Sequence, residues 1–531
     1  MSASIRAMVR EPDQGLRSIR DRFRLSDAPV IGLAGVAARL VFWIVTNRAW
    51  EDAYITVTHA RNAAEGLGLT HHPGEALTHG FTSAVSVLVP LAGELVSPGS
   101  GLTTLRLASL VAFIVAIYFA SRICAKLGLS RPATAFALAY LAFDPLQVFY
   151  GMSGMETQIA VAAILAAGWF VAGPRYRVAA VAIGFAVLVR PDFLLFAACV
   201  PLLQARRHSV RAAAETMLIA LLTVAPWIVF ATAYYGSPVP QTIVAKSLTY
   251  MTYPDGLALA SLAPLAQNVG ALIRTFTPFF NDTLVFDAPL PFALAATVAA
   301  TVWALVIIGS RRLARLFPEV AWFLLIYVIY RVLFLPRGYF DWYVPPFTAL
   351  AIIAAACGID HFEIPAIRRT AAYGLVAALA IPLVFTIGLE RTIQQTIEDQ
   401  VREPLGRYLG DVVPAGDPVA LEAAGYFGYF SRATIYDFPG LTSRAALSVV
   451  RSLPRSDRNL MAMVTVMEPP WIVMRPGEYI DLQGRRPDLA ATYRACRTFA
   501  VPGDETVGWG GLVKTTIDRS FTVYSRDGCG S

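Results

Sequence analysis

Charge is scarce in this sequence. Only 15% of its 531 residues are Asp, Glu, Lys or Arg, against about 25% in a typical soluble chain. With 56% of residues hydrophobic, that shortage excludes an ordinary water-soluble globule. Cysteine is scarce too: five in all, with no pair at the spacing of a zinc site. Cys124, Cys199 and Cys357 fall in or beside apolar runs and read as small packing residues. Cys496 and Cys529 lie in polar sequence and are free to pair if that part meets an oxidising compartment. A fixed-period repeat, a low-complexity tract and a coiled-coil heptad are all missing. The missing repeat weighs against the rival class, a polytopic transporter or flippase of lipid-linked glycan, which tends to be built from internal repeats. The net charge of +7 implies no nucleic-acid partner, because in a membrane chain excess Lys and Arg mark cytoplasmic loops.

Long apolar runs are what the chain has in abundance. Eleven are read as spans: 28–46, 104–121, 133–149, 157–172, 178–190, 192–205, 214–234, 288–309, 320–335, 343–358 and 371–388. A twelfth, 81–97, carries Pro90 and Glu94. The clusters Arg122/Lys126/Arg131, Arg175/Arg177, Arg206/Arg207/Arg211, Arg311/Arg312/Arg315 and Arg368/Arg369 share one side only if 81–97 does not cross. It is therefore expected to be a re-entrant or surface-lying helix. The fold class follows: a mostly α, polytopic transmembrane helical bundle of about eleven spans, with a small C-terminal α/β domain outside the membrane. Residues 1–27 are expected as a basic cytoplasmic tail and 28–388 as the membrane module, with a first outer loop at 47–103. Residues 389–531 alternate short apolar runs ("DPVALEAAGYFGYF", "ATIYDF", "WIVM", "FTVYS") with turn residues and form the extracytoplasmic domain.

Polar groups gather at the outer ends of these runs. Glu51 and Asp52 follow the first span and open a helix-like stretch that stops at Gly66; they suit a helix start, or an acid held at the lipid–water boundary as a proton acceptor. Glu156, in "YGMSGMETQ", reads with Ser153 as a capping box and also faces outward. Lys246 follows the proline-interrupted stretch "YYGSPVPQTIVAKS". Arg337 sits in "LPRGYFDWYVPP", and Arg190 precedes Pro191-Asp192, a local partner for it. Trp342 and Tyr343 are ordinary interfacial belt residues or substrate contacts; Tyr54 and His79 are further candidate contacts. His59, His71, His72 and His79 have weak spacing for a metal and read as a surface loop. Two separated acids and several cations on one face suit a lipid phosphate substrate.

The order of these motifs resembles the GT-C superfamily of polyprenyl-phosphate-sugar-dependent membrane glycosyltransferases. They run "WEDAYITVTHARNAAEGLGLTHHPGE", "HGFTSA", "SGMET", "LVRPD", "YYGSPVPQTIVAKS" and "GYFGYF…ATIYDFPGL". The nearest likeness, over about residues 28–445, is to the type that adds terminal β-1,2 arabinofuranose. The resemblance implies Asp52 as catalytic base with Glu51 secondary, Glu156 as the acid of the second outer loop, and Lys246 as the cation after the proline-rich loop. Arg337 and Arg190 join Lys246 as expected donor-phosphate contacts. The implied donor is a polyprenyl-phosphate sugar and the implied acceptor a cell-envelope glycan, met at the outer face of the bacterial inner membrane. A divalent metal is left open, because the sequence supplies no defined ligand set.

Overall fold

The computed structural model describes residues 27–207, 209–249, 262–276, 284–286, 289–333, 340–502, 507–514 and 517–529. Arg337 and nearly all of the expected N-terminal tail lie outside these residues. The membrane module begins with α1 (Asp27–Thr46), α2 (Glu51–Ala64), α3 (Ala84–Val96), α4 (Gly101–Lys126), α5 (Arg131–Phe143), α6 (Pro145–Met152) and α7 (Thr157–Val171). It continues through α8 (Tyr176–Val189), α9 (Leu194–Arg207), α10 (Val210–Tyr235), α11 (Gln241–Thr249) and α12 (Leu262–Ile273). After the short strand β1 (Leu284–Phe286) come α13 (Pro289–Leu316), α14 (Pro318–Leu333), α15 (Val344–Ile359) and α16 (Pro365–Ile393).

The described residues of each apolar run expected as a span are mainly helical. Six helices among the described residues are long and apolar enough to cross a membrane, seven if the bent pair α6 and α7 counts as one. The run 133–149 is broken because Asp144 precedes Pro145, and a residue before proline is driven out of helical geometry. Asp144 then caps α6 by accepting from the Gln147 amide at 3.1 Å. The carbonyls freed at that break are not wasted on lipid. Buried Arg39 of α1 donates to Leu141 O and Ala142 O, both at 3.0 Å, and to Gln158 Oε1 at 2.9 Å. This buried charge is thus a structural rivet.

The run 81–97 forms α3, whose 13 residues reach about 20 Å, short of the roughly 30 Å hydrocarbon core. Its Glu94 accepts from the amides of Gly99 at 2.7 Å and Gly101 at 2.9 Å. It thereby satisfies donors at the start of α4.

The C-terminal domain contains α17 (Glu403–Val412), β2 (Pro418–Leu421), α18 (Ala424–Ser431), β3 (Thr434–Asp437), α19 (Arg444–Ser452), α20 (Leu460–Met467), β4 (Trp471–Met474), α21 (Pro476–Arg485) and α22 (Pro487–Ala490). It ends with β5 (Arg494–Ala500), β6 (Gly508–Trp509), β7 (Leu512–Lys514) and β8 (Ser520–Ser525). Five strands order as β3-β2-β4-β8-β5, parallel among the first three and antiparallel beyond β4. This is the expected α/β domain, and Cys496 and Cys529 are disulfide-bonded in it. The segment "AGYFGYFS" is not a strand but α18, which lies on α2.

No loop separates the domain from the membrane. The helix of α16 runs on through a wide π-type stretch (394–402) into α17, 48 residues from Pro365 to Val412. The boundary expected at 388 falls inside it, because hydropathy marks where lipid ends rather than where a helix ends. At about 70 Å this helix spans the bilayer and continues as the stalk of the domain. A second tie is the small sheet β1-β7-β6, whose Trp509 covers Gly388 of α16. A Cβ on Gly388 would sit 2.2 Å from the indole, so only glycine permits that contact.

Candidate active site

The loop after α1 is pinned before it can carry chemistry. Arg106 of α4 donates to Met152 O at 3.0 Å, to Asn47 Oδ1 at 3.0 Å and to Arg48 O at 2.6 Å. The Trp50 amide donates to Ser153 O at 2.8 Å. These bonds join the loops after α1 and after α6. Gly154, at φ +89°, completes the contact: a Cβ there would lie 2.9 Å from Ala53 Cβ. The glycine lets the "SGME" turn rest on α2 and brings Glu156 to the same recess as Asp52.

Ser153 and Glu156 form no capping box. Glu156 instead accepts from Arg190 at 3.3 Å, and Arg190 also binds Asp192 at 3.0 Å. The guanidinium lies 4.2 Å over the Tyr343 ring. Arg190 is therefore satisfied by two carboxylates. Lys246 is different: its ammonium lies 4.6 Å over Phe340 and 5.4 Å over Trp342. It makes no hydrogen bond or ion pair among the described residues. Asp52 likewise has no hydrogen-bond or ion-pair partner there, and Trp50 rather than Asp52 is the N-cap of α2.

Two cavities meet at these groups and a third lies nearby. A recess of about 50 Å³ is lined by Asp52, Thr56, Glu156, Arg190, Lys246 and Tyr343, among others. A larger chamber of about 320 Å³ lies toward the C-terminal domain, with Arg48, Trp50, Glu51, Arg402, Arg475 and Lys514 in its wall. Asp52, Lys246 and Trp342 line both. An apolar groove of about 680 Å³ runs between α3, α4, α7 and α8. Neighbouring turns line the groove and the recess: Val85 and Ser86 on α3, Ile159 and Glu156 beside α7, Phe185 and Val189 on α8.

Glu51 is the engaged member of the acid pair. The Gly425 amide at the start of α18 donates to it. Burial first, and the neighbouring Asp52 charge second, push its carboxyl up to about 8. Near neutral pH Glu51 therefore holds its proton.

The structure brings Asp52, Glu51, Glu156, Arg190, Lys246, Trp342 and Tyr343 to one place. It does not bring Tyr54, whose ring packs on Tyr426 and Tyr429 at 4.7 and 4.6 Å and lines none of the three cavities. Nor does it bring His79. That ring is 3% exposed, stacks on Tyr235 at 4.7 Å, and has no hydrogen bond to either nitrogen. The four histidines are not a surface loop. His59, His71 and His72 are buried where the C-terminal domain covers α2, with His72 bonded to Thr442 Oγ1 at 3.1 Å.

This burial has a consequence for stability. Desolvation lowers His59 and His79 to about 4 and His72 to about 3, from 6.5. The unfolded chain binds these protons first, so stability is whole above pH 6.5 and falls as pH drops toward 4. Each ring costs about 1.4 kcal/mol per pH unit. Thermal melts between pH 7.5 and 5 are expected to show that slope. His79→Phe, which keeps the stack, should make it shallower; an unchanged slope would exclude His79 from it.

Residues that sequence reasoning passed over hold the site together. Arg48 binds Glu390 and Glu398, each at 2.8 Å, and so couples the Glu51–Asp52 turn to the stalk. No three His, Cys, Asp or Glu side chains gather as metal ligands among the described residues. One Glu156 oxygen faces Arg190 and one Glu51 oxygen accepts from Gly425.

The described helices make this a multi-pass membrane protein, and its fold is GT-C-like. The solved structures similar to it include ArnT from Cupriavidus metallidurans bound to undecaprenyl phosphate, and the same protein in the apo state. Each aligns at TM-score 0.54 and 13% identity over 94% of this chain and 98% of that one. The Archaeoglobus fulgidus oligosaccharyltransferase, tethered to an acceptor peptide containing the NVT sequon, aligns at TM-score 0.53 and 13% identity. The alignment covers 93% of this chain and 74% of that one. Residues 391–524 match a family described as a domain of unknown function (DUF8728). No curated protein matches the chain in sequence.

Proposed function

We propose that this protein is an inverting glycosyltransferase that moves a sugar from a polyprenyl-phosphate donor to a cell-envelope glycan acceptor. The reaction takes place at the outer face of the bacterial inner membrane, with the N-terminus cytoplasmic and the C-terminal domain outside. Arabinofuranose is the sugar that the sequence resemblance suggests. The observation that carries the reading is the pairing of an unengaged carboxylate, Asp52, with an unengaged ammonium, Lys246, in the wall shared by two polar cavities. An apolar groove arrives beside one of them. That ArnT has been solved with undecaprenyl phosphate supports a lipid of this class in the groove.

The chemistry follows from the groups present. Asp52 takes the proton of the acceptor hydroxyl as its oxygen bonds to the anomeric carbon. The bond from that carbon to the phosphate oxygen breaks, and the electron pair leaves with the polyprenyl phosphate. Attack opposite the leaving group inverts the centre. A leaving phosphate is a stable anion and needs positive charge more than a proton, which Lys246 supplies in a cleft of low dielectric. Arg190, already held by Glu156 and Asp192, orients the recess and adds a cation to its wall. Arg337, outside the described residues, remains a proposed contact of the same phosphate. Trp342 and Tyr343 form the floor on which the donor sugar rests.

Purified protein offered a panel of polyprenyl-phosphate sugars and envelope glycans should release polyprenyl phosphate with at least one sugar. Lys246→Ala is expected to raise the KM for that donor on the order of 10- to 100-fold, the worth of one charge-assisted contact. An unchanged KM would remove Lys246 from the phosphate site. No release from any donor, by protein that melts normally, would remove the reading itself.

A further inference from the structure

The wall of the chamber between Asp52 and the C-terminal domain sets cations beside the carboxylates of Glu51, Asp52, Glu398, Glu422 and Asp518, yet some of its donors have no acceptor. Its Arg48 and Arg402 are engaged through Glu390 and Glu398, but Arg402 Nε is buried with no hydrogen-bond partner. The Trp50 indole N–H is buried and equally unpartnered. The Lys514 ammonium, at the end of β7, has no hydrogen-bond or ion-pair partner among the described residues and lies 5.8 Å from the Trp50 ring. Arg48 lies over the same ring at 5.7 Å. Burial lowers Lys514 from its ordinary value, opposed first by Glu390 and with Arg48, Asp341 and Arg402 also facing it.

Buried donors that lack acceptors are costly and call for a ligand rich in acceptors. Carboxylates and phosphates offer acceptors only, and they bind cations by charge-assisted bonds. The chamber's volume of about 320 Å³ falls in the range of small-ligand pockets, about 300–1,000 Å³. Its aromatic wall, Trp50, Phe340, Trp342 and Phe438, suits the apolar faces of sugar rings.

We propose that this chamber is the acceptor subsite, that the acceptor is an anionic glycan, and that Lys514 selects its charged group. The inference rests on the glycosyltransferase reading and assigns the two anions of the reaction to opposite sides of Asp52. The donor phosphate goes to Lys246, and the acceptor's carboxylate or phosphate goes to Lys514. The lysine is delivered by the β6–β7 hairpin, which is anchored on α16 through Trp509, so the C-terminal domain itself supplies acceptor specificity.

The test uses the full chain in detergent and follows binding of four probes. They are trigalacturonate, its neutral counterpart galactotriose, mannose 6-phosphate and mannose. At least one charged probe should bind about tenfold tighter than its neutral partner. Comparing the two pairs says whether carboxylate or phosphate is preferred. Lys514→Gln should reduce the preference to within about twofold, and Lys514→Arg should retain part of it. Binding of undecaprenyl phosphate should be the same in all three proteins.

Equal binding of charged and neutral probes, binding of none of them, or a preference that survives Lys514→Gln would overturn the proposal. So would a Lys514→Gln variant that loses undecaprenyl phosphate as strongly as the charged glycan, since the anion would then be the donor's. Failure of wild-type protein to bind undecaprenyl phosphate strikes the donor reading instead, and is read separately from the charge preference.

Discussion

Asp52→Asn is expected to lower transfer by about 10²–10⁴-fold, the usual worth of a positioned general base, with donor KM little changed. The neighbouring substitution Glu51→Gln should retain most of the rate, although the two acids are adjacent and the sequence alone favours neither by chemistry. The difference lies in their surroundings. Asp52 is unengaged and lines both polar cavities, whereas Glu51 accepts from Gly425 and is raised to about 8. A glutamine imitates the protonated glutamate that the site already holds near neutral pH.

The same assignment fixes a pH dependence. Above about pH 8 Glu51 ionises and puts a second negative charge beside Asp52 and the leaving phosphate, with Glu398 adding to the repulsion and Arg402 opposing it. Transfer by the wild type should therefore decline on the alkaline side, and Glu51→Gln should lack that limb. Rate–pH profiles of the two proteins decide the matter. If Glu51→Gln were as inactive as Asp52→Asn, the roles within the pair would have to be exchanged.

The residues legible in the sequence were those whose signal is local. Asp52 and Glu51 stand out because adjacent acids follow an apolar run, and Lys246 because prolines expel it from the preceding helix. Arg190 and Asp192 are two positions apart. The eleven apolar runs could be read as helices because hydropathy integrates over a whole segment. Arg48 and Arg106 escaped because an arginine near a span end looks like a topology marker, while their partners lie elsewhere in the chain. Glu398 is 350 positions from Arg48. The histidines were misread as exposed for a related reason: their cover, Gly428 and Thr442, belongs to a domain that local pattern cannot dock. Glu156 shows the converse error, a local capping box outbid by a distant arginine.

Arg48 is where that long-range chemistry should be felt most strongly in stability. Its guanidinium is 4% exposed and bridges Glu390 and Glu398, with a further bond from Nη1 to Ala49 O at 2.6 Å. Arg48→Ala leaves Glu390 without its cation and Glu398 with Arg402 alone. Removing one partner of a buried pair costs about 3–5 kcal/mol, because the remaining charge stays desolvated. The expected result is a large fall in the denaturation midpoint in the same detergent. Arg48→Ala combined with Glu390→Gln should recover part of it, since the second change removes the stranded charge. The turn bearing Asp52 is tied to the stalk through this arginine, so the single variant should lose transfer at temperatures where it is still folded. A loss below about 1 kcal/mol would mean that water reaches the network. The stalk would then not be what holds the acid pair in place.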